Sequence, residues 1–159
     1  MGEKLLAPGE CYDHLLAYLQ RFHAIDRSTL DQLIPFLEIR RFDKKKTLVG
    51  QGEIDQYLNI VIRGLVRKYI PQSKKGEVTL QLATEGHFVQ SEISFHHRVP
   101  SDVVIETLEP TTLVSIQYHQ LKQAYDTIPS MEQLGEAVIM HMFIKKDARY
   151  FEQLNKTTR

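Results

Sequence analysis

The residues of this chain best suited to chemistry crowd into one stretch, Gly86 to Asp102, which reads GHFVQSEISFHHRVPSD. It holds a neighbouring His96-His97 pair, a carboxylate at Glu92, hydroxyls at Ser91 and Ser101, one guanidinium at Arg98 and a second carboxylate at Asp102. Glu92 with the two histidines invites a metal reading. Adjacent residues on an extended chain point to opposite faces, however, so a His-His pair seldom shares one ion, and solvated loop histidines are the better expectation. No Ser/His/Asp or Cys/His arrangement and no glycine-rich triphosphate loop accompanies them, so no catalytic centre is expected. The lone cysteine, Cys11, excludes a disulfide framework, a Cys-rich zinc site and an iron–sulfur cluster within this chain. Lys44-Lys45-Lys46 reads as a solvated turn rather than a phosphate patch.

The same stretch is too polar for a core and too apolar for a plain linker. Phe88, Val89, Ile93 and Phe95 must be tucked away, and the rim or floor of a pocket inside a small β-barrel is the natural place. The flanking runs Val78–Ala83 and Val103–Leu108, with Leu113–Ile116 after them, read as strands. Upstream, Phe36–Phe42, Thr47–Gly50, Tyr57–Ile62 and Leu65–Ile70 give further short strands, with Gly64 marking a sharp turn and Pro71–Gly76 a polar hairpin loop. Such spacing is the mark of an all-β sandwich or barrel.

Helices bracket these strands. Cys11–His23 carries Leu15, Leu16, Leu19 and Phe22 on one stripe. Ser28 reads as the N-cap of a second helix, with Asp31 in the capping-box position and Pro35 at its end; the pair is expected to lie as a lid on the barrel's end. A short helix from Tyr118 to Tyr125 is followed by a long one from Ser130 to about Asn155. Its middle, Ala137 to Ile144, is apolar nearly all round, whereas a surface helix needs only one apolar stripe. It therefore wants its own barrel on one side and a second partner on the other. Composition fits a soluble globular protein: 42% hydrophobic, 25% charged, formal net charge zero. A neutral chain lacks the basic footprint of a nucleic-acid binder. No signal peptide or bilayer-spanning run is present, so no membrane partner and a cytoplasmic location are expected.

The order of parts then becomes specific: leading helices, Gly52-Glu53, Arg63-Gly64-Leu65-Val66-Arg67, Lys75-Gly76-Glu77-Val78-Thr79, Glu85-Gly86-His87-Phe88-Val89, the polar loop, Ile105 to Leu113, and a closing helix. From about Leu15 onward this resembles the effector domain of catabolite-activator-type (Crp/Fnr) transcription regulators, which have the cyclic-nucleotide-binding-domain fold. The resemblance implies a mainly β fold with flanking helices: an antiparallel β-roll (double-stranded β-helix or jelly roll) over residues 1–128, and a long dimerisation helix over 129–159. It also implies that any DNA contact is made through a helix-turn-helix domain that these residues do not contain.

In family members that bind cyclic AMP or cyclic GMP, this loop is a phosphate cassette reading Gly-Glu-aliphatic, then Arg-Ser/Thr-Ala. Backbone N–H groups and the arginine hold the phosphate, and the glutamate grips the ribose. Here Ser91-Glu92-Ile93 and Pro100-Ser101-Asp102 stand at those places. Pro100 supplies neither guanidinium nor N–H, and Asp102 sets a negative charge where phosphate would approach. At ~4 Å and an effective dielectric near ~20, one such charge is worth roughly 4 kcal/mol. The expectation is a dimeric, non-enzymatic sensor with a degenerate cassette, no cofactor, no metal and an unidentified small-molecule effector. Its candidate pocket is Phe88, Val89, Gln90, Ser91, Glu92, Ile93, Arg98, Ser101 and Asp102. Its candidate interface is Leu134, Val138, Ile139, Met142 and Phe143. The alternatives are a genuine cyclic-nucleotide module using Arg98 and, more remotely, a cupin-like metal enzyme.

Overall fold

The structure, a computed structural model, describes residues 5–21 and 23–142. Phe22, Phe143 and the rest of the proposed long helix lie outside the described residues. Helices α1 (Pro8–Leu19) and α2 (Arg27–Leu33) lead through a 3-10 turn, Ile34–Phe36, into eight strands. These are β1 (Leu37–Phe42), β2 (Thr47–Val49), β3 (Tyr57–Arg63), β4 (Val66–Ser73), β5 (Gly76–Ala83), β6 (Phe88–Val89), β7 (Val104–Thr107) and β8 (Thr111–Gln117). Helix α3 (Glu92–His97) interrupts them before β7, and α4 (Tyr118–Thr127) and α5 (131–142) follow.

All pairings are antiparallel, in two four-stranded sheets ordered β1-β8-β3-β6 and β2-β7-β4-β5. The seam between them is a core of Val49, Val61, Val66, Ala83, Val89, Ile105 and Leu113. At about 1.5–3 kcal/mol for each large side chain fully buried, these residues hold the roll closed. The outer face of the first sheet carries Ile60, Ile62, Val114 and Ile116, against which α1, α2 and the start of α5 pack. This explains why β8 reads TLVSI without alternation: lying between β1 and β3, it is covered on both faces, and Thr111 to Ile116 are all buried.

Several local expectations change. The second helix is capped by Asp26, whose Oδ1 accepts the Thr29 N–H at 2.8 Å. Ser28 therefore falls inside the helix, and Asp31 lies 3.6 Å from the Arg27 side chain, one turn back. The first helix begins at Pro8, where a missing N–H costs nothing, and ends at Leu19. The leading helices flank a sheet rather than capping the roll's end. The hairpin loop is shorter than Pro71–Gly76, because β4 runs to Ser73 and the turn is Lys74-Lys75. The run Val78–Ala83 is an edge strand, and Val78, Leu80 and Leu82 remain 37–54% exposed.

Two features fix the site's position. Gly64 turns the chain from β3 to β4 with φ of +117°, and a Cβ there would come 2.7 Å from both Pro110 O and Thr111 Cα. Since both contacts are backbone, Gly64→Ala should cost about 2–4 kcal/mol in urea unfolding, combining left-handed strain with overpacking.

The second is Asp55, 1% exposed, in the β2–β3 loop. Its Oδ2 accepts from Ser91 N–H at 2.7 Å and its Oδ1 from Tyr57 N–H at 3.1 Å. Its own N–H donates to Ser94 Oγ at 2.8 Å, and its carbonyl accepts from Arg98 Nη1 at 2.9 Å. Asp55→Ala orphans two N–H groups and should cost about 2–4 kcal/mol. Burial raises the Asp55 carboxyl above its ordinary value, outweighing the hydrogen bonds and the nearby Arg40 and Arg98 charges. A raised carboxylate favours the fold most when protonated, so its contribution is full in acid and is lost as the pH climbs through the raised value. The stability gap between wild type and Asp55→Ala, followed by chemical denaturation, should narrow over that window.

Candidate functional site

The stretch 86–102 folds as a short strand, a turn of helix and a return. Val89 and Phe95 are buried, at 1% and 0% exposure, as their apolar character requires. Phe88 packs into the helix-facing core, and Val89 into the seam between the sheets. Ile93 is not tucked away: it is 71% exposed on α3, at the rim of a cleft over the first sheet. Gln90, Ser91 and Ser101 are buried, Glu92 is half-buried and Asp102 is exposed.

The loop is closed on itself and on residues 50–55. Ser91 Oγ and Ser101 Oγ are 2.8 Å apart, bringing the two halves of the candidate cassette together. Ser101 O accepts from Gly52 N–H at 2.8 Å, and Ser101 N–H donates to Glu53 O at 2.7 Å. Arg98 sits in the left-handed conformation at the end of α3, φ +58°. Its guanidinium donates to Asp55 O, to Phe95 O and, at 2.7 Å, to Gln56 Oε1, and lies 4.2 Å from the centroid of the Tyr118 ring. Both the cassette's first N–H and its only guanidinium are therefore engaged by the protein's own oxygens.

The roll interior beside the loop is polar and carries two cations from the strands. Arg40 on β1 stacks 3.7 Å from the Tyr57 ring centroid and donates to Asn59 Oδ1 at 3.3 Å. Burial pushes its pKa below the ordinary guanidinium value, although Tyr57, Glu38 and Asp55 oppose this. Asn59 is held by Val89 O, which accepts from Nδ2 at 3.1 Å, and by the Ser115 hydroxyl, 2.7 Å from Oδ1. Lys68 on β4, 9% exposed, donates to Gln90 O at 3.1 Å and lies 3.7 Å from Glu92 Oε1. Sequence reading missed Asp55, Arg40, Asn59 and Lys68. Asn59 is a lone polar residue in an apolar run and the others stand beside a second polar residue, so only pairing register and distant partners show which of them face inward. Among the described residues, no group of three His, Cys, Asp or Glu is arranged to hold a metal. Nor is any described helix long and apolar enough to cross a membrane.

On the last helix, Leu134 is 3% exposed against its own chain and Val138 packs on the same core. Ile139 and Met140 are 46% and 60% exposed, and Met142 lines a cleft over the first sheet.

A family model described as "Cyclic nucleotide-binding domain" matches residues 39–127, from β1 to the end of α4. No curated protein sequence matches. Among solved structures, a cyclic nucleotide-binding domain from Methylobacillus flagellatus superposes with a TM-score of 0.81 at 14% identity, over 93% of this chain and 84% of that one. The catabolite activator protein of Thermus thermophilus gives 0.68 at 20% identity, over 87% of this chain and 63% of that one. The c-di-GMP responsive global regulator CLP of Xanthomonas campestris gives 0.64 at 21% identity, over 84% and 64%. The chain thus spans under two thirds of each regulator, and at these identities the likeness is one of fold. With the family model matching more than half of its length, on the strands and cassette helix that form the site, the chain belongs to the cyclic nucleotide-binding domain family.

Proposed function

We propose that the chain is the effector domain of a Crp/Fnr-type transcription regulator, non-enzymatic and paired through its C-terminal helix, whose cassette no longer holds a cyclic phosphate. The observation that carries this reading is the engagement of Arg98 by Asp55, Phe95, Gln56 and Tyr118. To grip a phosphate, the guanidinium would have to leave three oxygens and an aromatic face. Ser91 N–H would likewise have to leave a buried carboxylate. Pro100 adds no donor, and exposed Asp102 adds repulsion. A formal net charge of zero gives the domain no basic footprint of its own for duplex DNA. Titration calorimetry with cyclic AMP and cyclic GMP should show binding weaker than about 1 mM. Low-micromolar binding of either, lost in Arg98→Ala, would overturn the reading.

A second reading has one observation in its favour. Arg40 and Lys68 reach the roll interior from strands rather than from the loop, so an anionic effector has cations to meet there. Micromolar binding that survives Arg98→Ala and fails in Arg40→Leu would favour it.

For the pairing, Met140 is the most exposed apolar side chain in the described part of α5, with half-exposed Ile139 beside it at the rim of the cleft, because Leu134 and Val138 are used by the chain's own core. A self-complementary two-fold contact would bury them and change its crossing angle when the cassette moves. Sedimentation equilibrium at tens of micromolar should give a dimer, weakened by Ile139→Asp with Met140→Asp. A monomer indifferent to those changes contradicts the pairing.

A further inference from the structure

A cleft of about 390 Å³ lies between α1, α4 and α5 and the outer face of the first sheet. That volume is near the lower end of the ~300–1,000 Å³ typical of small-ligand sites. Its walls are mainly aliphatic, with Leu19, Leu58, Ile116, Met131 and Leu134 among them, and Asn59, Ser115, Gln90, Glu92, His96 and His97 form a polar edge. It sits across the sheet from the roll interior: alternation along β3 sends Leu58 and Ile60 towards the helices and Val61 into the seam. The cassette nonetheless forms one edge of it, through Gln90, Glu92, Ile93, His96 and His97.

One group on that polar edge lacks a hydrogen bond among the described residues. Gln90, 2% exposed, lines the cleft, and its Oε1 has no hydrogen-bond partner among the described residues. Its amide nitrogen is 3.3 Å from His96 Nε2. Desolvation lowers the His96 pKa, more than Glu92 raises it, and the ring accepts the amide N–H in the tautomer that leaves Nε2 unprotonated. That contact pins the carboxamide and leaves its carbonyl oxygen buried without a partner at the edge of the cleft. An orphaned buried acceptor typically costs about 1–3 kcal/mol, and a ligand with a donor would recover it.

We propose that this cleft binds a small, uncharged, mainly aliphatic molecule whose single hydroxyl or amide head donates a hydrogen bond to Gln90 Oε1. The chain of the ligand lies on the leucine, isoleucine and methionine wall, and the head meets the acceptor that the described residues leave unpaired there. A charged carboxylate head is disfavoured, since it brings no donor and would approach Glu92, which also lines the cleft. Gln90 links the cleft to the roll, because its backbone oxygen accepts the Lys68 ammonium on the other side. Filling the cleft would thus be felt at the start of the cassette.

The test uses two probes that differ only in the head, n-octanol and octyl methyl ether, titrated into the whole 159-residue chain with Leu, Ile and Met methyl groups followed by NMR. Saturable shifts at Met131, Leu134 and Ile139 are expected, with the alcohol bound about tenfold more tightly than the ether. Gln90→Leu should abolish that preference while leaving ether binding intact. Should the variant fail to fold, the alcohol–ether difference in wild type still decides the matter. Equal affinities would remove the role of Gln90. Absence of saturable shifts up to the solubility limit, as when a second copy of the chain already fills the cleft, would overturn the proposal. The cyclic-nucleotide reading is decided separately, by a charged ligand and its loss in Arg98→Ala, whereas this test uses uncharged probes and Gln90→Leu.

Discussion

The site depends on one buried aspartate. Every polar group of Asp55 is spent on fastening the 91–98 segment or its own loop: the carboxylate on Ser91 and Tyr57, the N–H on Ser94, the carbonyl on Arg98. A loop with few apolar anchors is normally the loosest part of a β-sandwich. Here Phe95 supplies the apolar anchor, and Asp55 sets the distance of α3 from the start of β3. The cost is a desolvated carboxyl with a raised pKa, which the hydrogen bonds and two nearby arginines only partly offset. Burying a charge in this way is tolerated when every lone pair has a use.

That fastening decides what the cassette can do. Phosphate recognition by such a loop needs free backbone N–H groups and an uncommitted guanidinium. In this chain the same donors close the loop against the protein. The strands around it tell a complementary story. The roll interior retains two cations, Arg40 and Lys68, and a hydrogen-bonded Asn59–Ser115 pair, so it is polar without having the loop donors that the fold usually aims at a phosphate. On the proposed reading, fold and function separate here: the eight strands are kept while Ser91 N–H and Arg98 are committed within the chain.

Much of this architecture was legible in the sequence. Strand runs, the Gly64 corner and the helical flanks follow from period and glycine placement, and they carried the resemblance to the right family. What was not legible depends on register and on partners far along the chain. The face taken by Arg40 is set by pairing Arg40 with Leu113, and that of Asn59 by pairing it with Ser115; no local pattern announces either. Asp55 looked like one more loop acid, because the residues that use it lie 36 and 39 positions later. Ile93 lies at a cleft rim and not in a floor, because one turn of helix leaves it exposed. The exposed leucines of β5 follow from its edge position, which composition cannot reveal.

The central claim is that the cassette is already closed by internal hydrogen bonds. The exchange rate of the Ser91 amide hydrogen, read by NMR with and without millimolar cyclic AMP, addresses it most directly. The account predicts strong protection in the free protein, approaching that of β3 and β8, and no change when the nucleotide is added. Rapid exchange in the free protein, slowed on adding cyclic AMP, would show a loop that is open and waiting for phosphate, and would contradict it.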